Sequence, residues 1–367
     1  MERYDAAIVG AGPAGAFLAY KLAKKGHHVA LIEKSVMPRN KPCGGGITPK
    51  GIKLLDFPVD DLVKAKVHSV RILRGKQDVL MHTDRAPVYM VERSEFDKRL
   101  AEKAVESGAT LIQGASVTGI EMTDGGATIA TSIGKYEART IIGADGAKGK
   151  TAQWAGIERS NAFEHMLGIE LNAPIEDYQY GDSALVDFDV PGGYGWVFPK
   201  GDYYNVGVVT GRTREFHNLN AKLQEFVKKR GLWLKDAGPL VGQRVPTGGS
   251  RQAVSKGNAL LVGDAAWLAE PVFGEGIAFA LKCAELAAGV IEQYVRGAIK
   301  TMDGYTALLN ETFAKEFADI RRMKFLIYHF PSLSLRVFAN SPRLRRAAEG
   351  MVNGERSPSG VWGRRWD

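Results

Sequence analysis

The chain has 367 residues, 45% hydrophobic and 25% charged, with a formal net charge of +8. This is the make-up of an ordinary folded protein with more chain than one core needs, and it excludes disordered, collagen-like and disulfide-framed polypeptides. The two cysteines, Cys43 and Cys283, lie far apart in dissimilar contexts, which argues for a reducing, cytoplasmic setting, and no run of about 18 apolar residues suggests a membrane span.

In chain order, residues 6–9 predict a buried strand, Gly10, Gly12 and Gly15 a tight turn, and residues 14–25 a helix closed by Gly26. A side chain at Gly12 would keep a pyrophosphate away from the backbone, while the helix start offers unpaired N–H groups and a partial positive charge. A second strand over 28–32 ends in Glu33, at the distance where an acid accepts hydrogen bonds from adenosine ribose hydroxyls and disfavours a 2′-phosphate. Strand, turn, helix, strand and acid in this order predict a dinucleotide site.

A Pro- and Gly-rich loop over 38–49 contains Pro42-Cys43-Gly44-Gly45-Gly46, backbone able to lie flat against a ring with a thiol at its edge. Cys43 is equally readable as a small packing residue. A helical segment near Lys50 and alternating stretches around 67–73 that read as strands follow. Arg93 opens a helix running to Ser107, and as a residue at a helix start it is either a solvated charge or a reach toward the cofactor. Strands over 110–112, 116–122, 127–131 and 136–142, with a turn at Asp124-Gly125-Gly126, form a small antiparallel excursion. The stretch from Ala144 to Thr151 nearly spells a nucleoside triphosphate P-loop, but Ala144 stands where its first glycine belongs, so it reads instead as an acidic turn at Asp145.

Residues from about Glu164 to Arg251 predict a second domain of strands over 184–190, 194–198 and 203–209 with one helix over 219–230. Tyr194, Trp196 and Phe198 share one face of a strand; periodicity alone favours packing as their role. A strand over 259–262 returns to the nucleotide sheet and ends in Gly263-Asp264. Pro271 and Gly274-Glu275-Gly276 then open a helix, which brings one carboxylate and one helix N-terminus near a common point. A flavin uses both: the carboxylate accepts from ribityl hydroxyls and the helix end favours negative charge at N1 and O2 of the reduced ring. The cofactor expected is therefore FAD.

From Phe273 onward the pattern is helical, broken at Pro331 and Pro342, with Cys283 in the core and a loose terminal segment bearing Gly, Arg and Trp. Eleven Lys and Arg stand against five Asp and Glu from residue 313 to the end. Interleaved with Phe325, Leu326, Ile327, Phe330, Leu333 and Phe338, these cations fit either a surface resting on anionic lipid or a helix packed on the core with a solvated basic face. No metal site is expected, because the seven histidines lack ligand spacing, and no nucleic-acid motif accompanies the basic charge.

Pro191-x-x-Tyr194-x-Trp196-x-Phe198-Pro199, together with Pro42-Cys43-Gly44-Gly45, resembles the substrate-strand and flavin-loop motifs of the geranylgeranyl reductase family, within the para-hydroxybenzoate hydroxylase-like flavoproteins. The likeness runs from Asp5 to about Tyr294. It implies that Gly10, Gly12, Ala14, Gly15, Glu33, Gly44, Gly45, Arg93, Val117, Asp264, Gly276 and Ile277 hold FAD. It also implies that Cys43 sits beside the flavin and that Tyr194, Trp196 and Phe198 line a tunnel for an isoprenoid chain; the catalytic proton donor expected is Cys43, Tyr194 or a held water. The region after the Gly276 helix is short for the archaeal lipid reductases, and Gly149 replaces the serine common in hydroxylase relatives.

The expected fold is α/β, a Rossmann-like FAD-binding domain (1–163 with 252–295), an inserted antiparallel substrate sheet (164–251 with part of 60–90) and a basic helical C-terminal region (296–367). The expected activity is hydride transfer from reduced FAD to carbon–carbon double bonds of a polyprenyl lipid or quinone side chain. The electron donor is NAD(P)H or a protein, since no second glycine fingerprint is evident, and the cell location is cytoplasmic or peripheral on the inner membrane face. The competing expectations are a monooxygenase of an aromatic or lipid substrate, and a flavin-holding membrane-surface protein without turnover.

Overall fold

A computed structural model describes residues 3–83, 87–123, 125–158, 165–174, 178–232, 236–248 and 252–355. The turn residue Asp124, the boundary residues Glu164 and Arg251, and the terminal segment from 356 lie outside the described residues.

Five parallel strands, in the order Ala259–Leu261, Lys135–Gly143, Arg3–Val9, Val29–Ile32 and Thr110–Ile112, form the heart of the first sheet. Ile8 lies opposite Ile142 on one side and Leu31 on the other, all fully buried. Parallel strands covered on both faces have to be apolar throughout, which is why they stand out in the sequence. Val117–Thr123 and Gly126–Thr131 fold antiparallel from Lys135–Gly143 as the expected excursion. The helices are α1 (Pro13–Ala23), α2 (Pro49–Ile52), α3 (Arg93–Glu106), α4 (Thr151–Trp154), α5 (Leu219–Lys229), α6 (Ile277–Val295), α7 (Gly304–His329), α8 (Pro331–Asn340) and α9 (Pro342–Val352). Of these, α1 packs against both α3 and α6.

The second sheet has seven strands in the order Val241–Pro246, His165–Ala173, Tyr204–Thr210, Gly193–Pro199, Ala184–Asp187, Ser69–Arg74 and Gln77–His82. Every pairing is antiparallel except that of Ala184–Asp187 with Ser69–Arg74. Alternation divides its side chains between two faces. Leu185, Val197, Val206 and Val208 pack on Leu223 and Phe226 of α5, whereas Val186, Tyr194, Trp196 and Val209 face the other way. That second face is roofed by the C-terminal helices: α8 crosses Ser69–Arg74 and Gln77–His82, and Ile327 and Tyr328 of α7 pack on the aromatic cluster. The α/β fold class expected from sequence is the one observed.

Several details refine the sequence reading. The strands expected around 67–73 are Val63–Val67 and Ser69–Arg74, divided where the chain turns at His68, whose Nδ1 lies 3.2 Å from the Thr83 carbonyl. Val63–Val67 joins Val88–Val91 and Gly46–Ile47 in a small three-stranded sheet, which also places a strand inside the loop expected over 38–49. His165–Ala173, a strand the sequence reading did not single out, turns Leu167, Ile169 and Leu171 to the α5 side and Met166, Gly168 and Glu170 to the cavity. The helix expected to open at Gly274-Glu275-Gly276 starts at Ile277; ahead of it the Glu270 carboxylate accepts the N–H groups of Val272 and Phe273 and holds that segment as a loop.

Candidate active site

A single cavity of about 1690 Å³ runs from the glycine turn after the first strand to the aromatic face of the second sheet and on beneath α7, α8 and α9. Sites for one drug-sized ligand span roughly 300–1,000 Å³, so this space accommodates a dinucleotide and a second long ligand.

Backbone builds the nucleotide end. Gly10 has φ +105, and a Cβ on it would lie 2.4 Å from the Ala144 carbonyl oxygen; a Cβ on Gly15 would lie 2.0 Å from the Gly10 carbonyl. The first holds the turn against the chain that follows Lys135–Gly143, and the second presses α1 onto the turn. Gly12 behaves differently: its Cβ would meet nothing closer than an Arg39 nitrogen at 3.8 Å, so this residue opens on the cavity and caps α1 without a side chain. Gly276 likewise precedes α6 with no side-chain cap, and a Cβ there would be 3.6 Å from Asp264 Oδ1. Two helix N-termini with unsatisfied N–H groups thus open on one space. Asp145 Oδ1, buried at the cavity wall, has no hydrogen-bond partner among the described residues. Residues of this kind fit FAD: backbone for the pyrophosphate, Glu33 for the ribose, and Asp264 with the α6 opening for the ribityl chain and ring.

Of the residues expected to hold FAD, Gly10, Gly12, Ala14, Glu33, Gly44, Gly45, Arg93, Val117, Asp264, Gly276 and Ile277 all line this cavity. Gly15 does not reach it, because its Cα is pressed against Gly10 and Ala144. Glu33 is buried and accepts from the Ala11 N–H at 2.9 Å and the Ser35 N–H at 3.1 Å, so it also fixes the glycine turn. Arg93 is buried and grips Asp97 through two 2.8 Å hydrogen bonds, with Arg39 3.2 Å from the same carboxylate. Burial works against the Arg93 charge, but Asp97 and Cys43 outweigh it and keep the guanidinium firmly protonated. Burial also raises the Asp264 carboxyl, opposed by Lys41 and Arg93.

The Cys43–Gly46 loop bridges the two ends. The Cys43 N–H donates to Glu170 at 2.7 Å and the Gly45 N–H points at its sulfur at 3.4 Å. A Cβ on Gly44 would sit 2.8 Å from the Phe198 ring, and one on Gly45 only 2.2 Å from the Val91 carbonyl. Lys200, almost completely buried, donates to that carbonyl and lies 3.3 Å from Glu92; burial lowers its pKa.

Side chains build the far end. Tyr194, Trp196 and Phe198 succeed one another at ring separations of 5.8 and 6.1 Å, and Phe188 and Phe273 extend the wall. Trp196 donates to Asn205 at 2.7 Å. Tyr194 donates to the Phe273 carbonyl and Tyr328 to the Val272 carbonyl at 2.6 Å, and burial drives both phenol pKa values far up. Sequence reasoning missed Lys50, Glu170, Lys200, Glu270 and Glu316. Glu316 had a visible signal, since it interrupts the α7 stripe of Leu309, Phe313, Phe317 and Ile320 with a charge on the buried face.

The FAD binding domain family matches residues 3–215. An uncharacterized protein of Methanosarcina barkeri is 36% identical over 304 residues, 82% of this chain and 77% of that protein. Digeranylgeranylglycerophospholipid reductase 2 of Methanosphaera stadtmanae is 31% identical over 346 residues, 88% of this chain and 87% of that protein. Among solved structures, a geranylgeranyl bacteriochlorophyll reductase-like protein of Thermoplasma acidophilum shares the fold with a TM-score of 0.85 at 25% identity, covering 95% of this chain and 96% of that one.

Proposed function

The chain belongs to the geranylgeranyl reductase family of FAD-dependent oxidoreductases, and from that premise we propose that it saturates carbon–carbon double bonds in the polyprenyl part of a lipid or quinone. The observation that carries this reading is the continuity of one cavity from the paired helix openings to an apolar corridor. Bound and reduced, FAD supplies a hydride to one carbon of the double bond. The chain's own task is to position the alkene and exclude water, because an isolated double bond offers little polarity to grip.

In this reading Gly10, Gly12, Ala14, Glu33, Arg93, Val117, Asp264, Gly276 and Ile277 hold the cofactor, with Gly15 securing the turn. Gly44 and Gly45 let the Cys43 loop lie close to the ring, and the Cys43 thiol borders the reacting space. Tyr194, Trp196 and Phe198 hold the isoprenoid chain. The division of labour follows the segments expected from sequence: 1–163 with 252–295 for the cofactor, 164–251 with part of 60–90 for substrate, and the helices after 296 as a roof. NAD(P)H or a protein donor delivers the electrons.

The same reading sets the protein in the cytoplasm, at a membrane surface. Among the described residues no helix is long and apolar enough to cross a membrane. Phe325, Leu326, Phe330, Leu333 and Val337, at the elbow of α7 and α8, are nonetheless half exposed or more, and four of them also line the cavity. Apolar side chains at a cavity mouth, flanked by Arg322, Lys324 and Arg336, suit anionic lipid and give a lipid chain a dry entry. Mass spectrometry of geranylgeranyl lipids after incubation with the FAD-loaded, reduced protein tests the activity. A gain of two hydrogens per bond is expected, and an added oxygen with substrate-stimulated NAD(P)H consumption would support a monooxygenase instead.

A further inference from the structure

Glu316 of α7 is 7% exposed, lines the cavity and forms no hydrogen bond or ion pair within bonding distance of a described residue. A buried, unpartnered carboxyl is expensive to maintain as an anion, so its presence in the apolar stripe of α7 calls for a use. Its neighbours come from two other elements. Lys50 of α2 reaches in from one side, 2.6 Å from Glu275 and 4.3 Å above the Phe279 ring. Glu275 and Glu270 approach from the loop ahead of α6, where Glu275 also accepts from the Thr48 hydroxyl. On α7 itself, Asp319 pairs with Arg322 at 3.0 Å.

Three carboxylates therefore surround one ammonium. Lys50 is already matched by Glu275, and Glu270 already accepts two backbone N–H groups. Full ionisation would leave two uncompensated negative charges at the cavity wall; burial raises Glu270 as well as Glu316, and of the two Glu316 has no donor to hold its charged form. Burial raises Glu316 to about 7, with Lys50 lowering it and Glu275 and Glu270 raising it. The Tyr194 hydroxyl, by contrast, is already donated to the Phe273 carbonyl.

We propose that Glu316 is the proton store of this cavity, protonated at rest, and that it gives its proton, directly or through a held water, to the alkene carbon that does not receive hydride. This rests on the reductase reading above. Atoms and electrons balance: reduced FAD gives hydride to one carbon, the carboxyl O–H breaks as the second C–H forms, FAD is left oxidised, and the glutamate anion regains a proton from solvent.

Infrared titration of the FAD-free protein reads the proton without turnover. The wild-type minus E316Q difference spectrum is expected to show a protonated carboxyl band that disappears around pH 7; a band gone by about pH 5, as for an ordinary glutamate, overturns the assignment. In single-turnover alkene reduction, E316Q is expected to be slower by about 10²-fold or more, with the fall in rate above neutral pH abolished, and E316D to recover part of the rate. An E316Q protein that melts earlier but keeps the wild-type rate and pH profile makes Glu316 a structural residue and ends the proposal. A wild-type protein that reduces no alkene removes the reductase reading and the donor role together, while the infrared titration still decides whether Glu316 carries the proton.

Discussion

The cavity has two ends made of different material. At the nucleotide end the wall is backbone, with Gly10 and Gly15 where a Cβ would strike a carbonyl; at the corridor end it is side chains, with rings about 6 Å apart. Backbone sites are all-or-none, because any added atom collides with chain that cannot move. Side-chain walls respond in proportion to the volume changed.

The sharpest way to break this contrast is Gly10→Val. Its Cβ would collide with Ala144 and its φ would be strained, so FAD affinity is expected to fall by about 100-fold or more, equivalent to ~2.7 kcal/mol, in equilibrium dialysis followed by flavin absorbance. Near-normal affinity would show that the turn can yield. Arg93→Ala comes next: it removes the bidentate partner of fully buried Asp97, and denaturant unfolding is expected to report a loss of roughly 3–5 kcal/mol. Loss of less than 1 kcal/mol would mean that Arg39 alone satisfies Asp97.

The junction between the ends has its own signature in pH. Burial raises the Glu270 carboxyl to about 7 from an ordinary value of 4.5. The folded state then holds more protons than the unfolded one between those values, so stability is full at the acid side and falls as pH rises from about 4.5 to 7, by roughly 1–3 kcal/mol. Glu316 is raised alike, so Glu270→Gln is expected to remove only part of that slope in thermal melts, and an unchanged slope would assign it to Glu316 or another group. At the corridor end effects are smaller. Trp196→Leu is expected to leave FAD affinity unchanged while slowing alkene reduction about 10-fold, or ~1.4 kcal/mol; equal losses of both would erase the division between the two ends. Smallest is Phe330→Ser with Leu333→Ser, expected to reduce flotation with anionic vesicles only a few-fold, since several apolar side chains share the elbow. Flotation without any dependence on acidic lipid would remove the membrane reading.

The same contrast explains what the sequence revealed. The turn at Gly10 and Gly12, the acid at Glu33 and the opening at Gly276 were legible because backbone sites leave a fixed spacing of glycines and carboxylates. The Tyr194, Trp196 and Phe198 face was legible as a stripe, though periodicity could not tell packing from a ligand wall; what the structure adds is a cavity in front of it. Glu170, Lys200 and Lys50 were hidden, for each gains its meaning from a residue distant in sequence: Cys43, Glu92 and Glu275 respectively. Strands were legible around 67–73, but not that those on either side of His68 join two different sheets.

The central claim is that one space joins a flavin to a prenyl chain. The most direct test loads the protein with FAD, reduces it without oxygen, and mixes it with a geranylgeranyl lipid while following flavin absorbance and product mass together. The account predicts reoxidation of the flavin at the rate at which the lipid gains two hydrogens. Flavin that stays reduced until oxygen is admitted, with the lipid either unchanged or oxygenated, would contradict it.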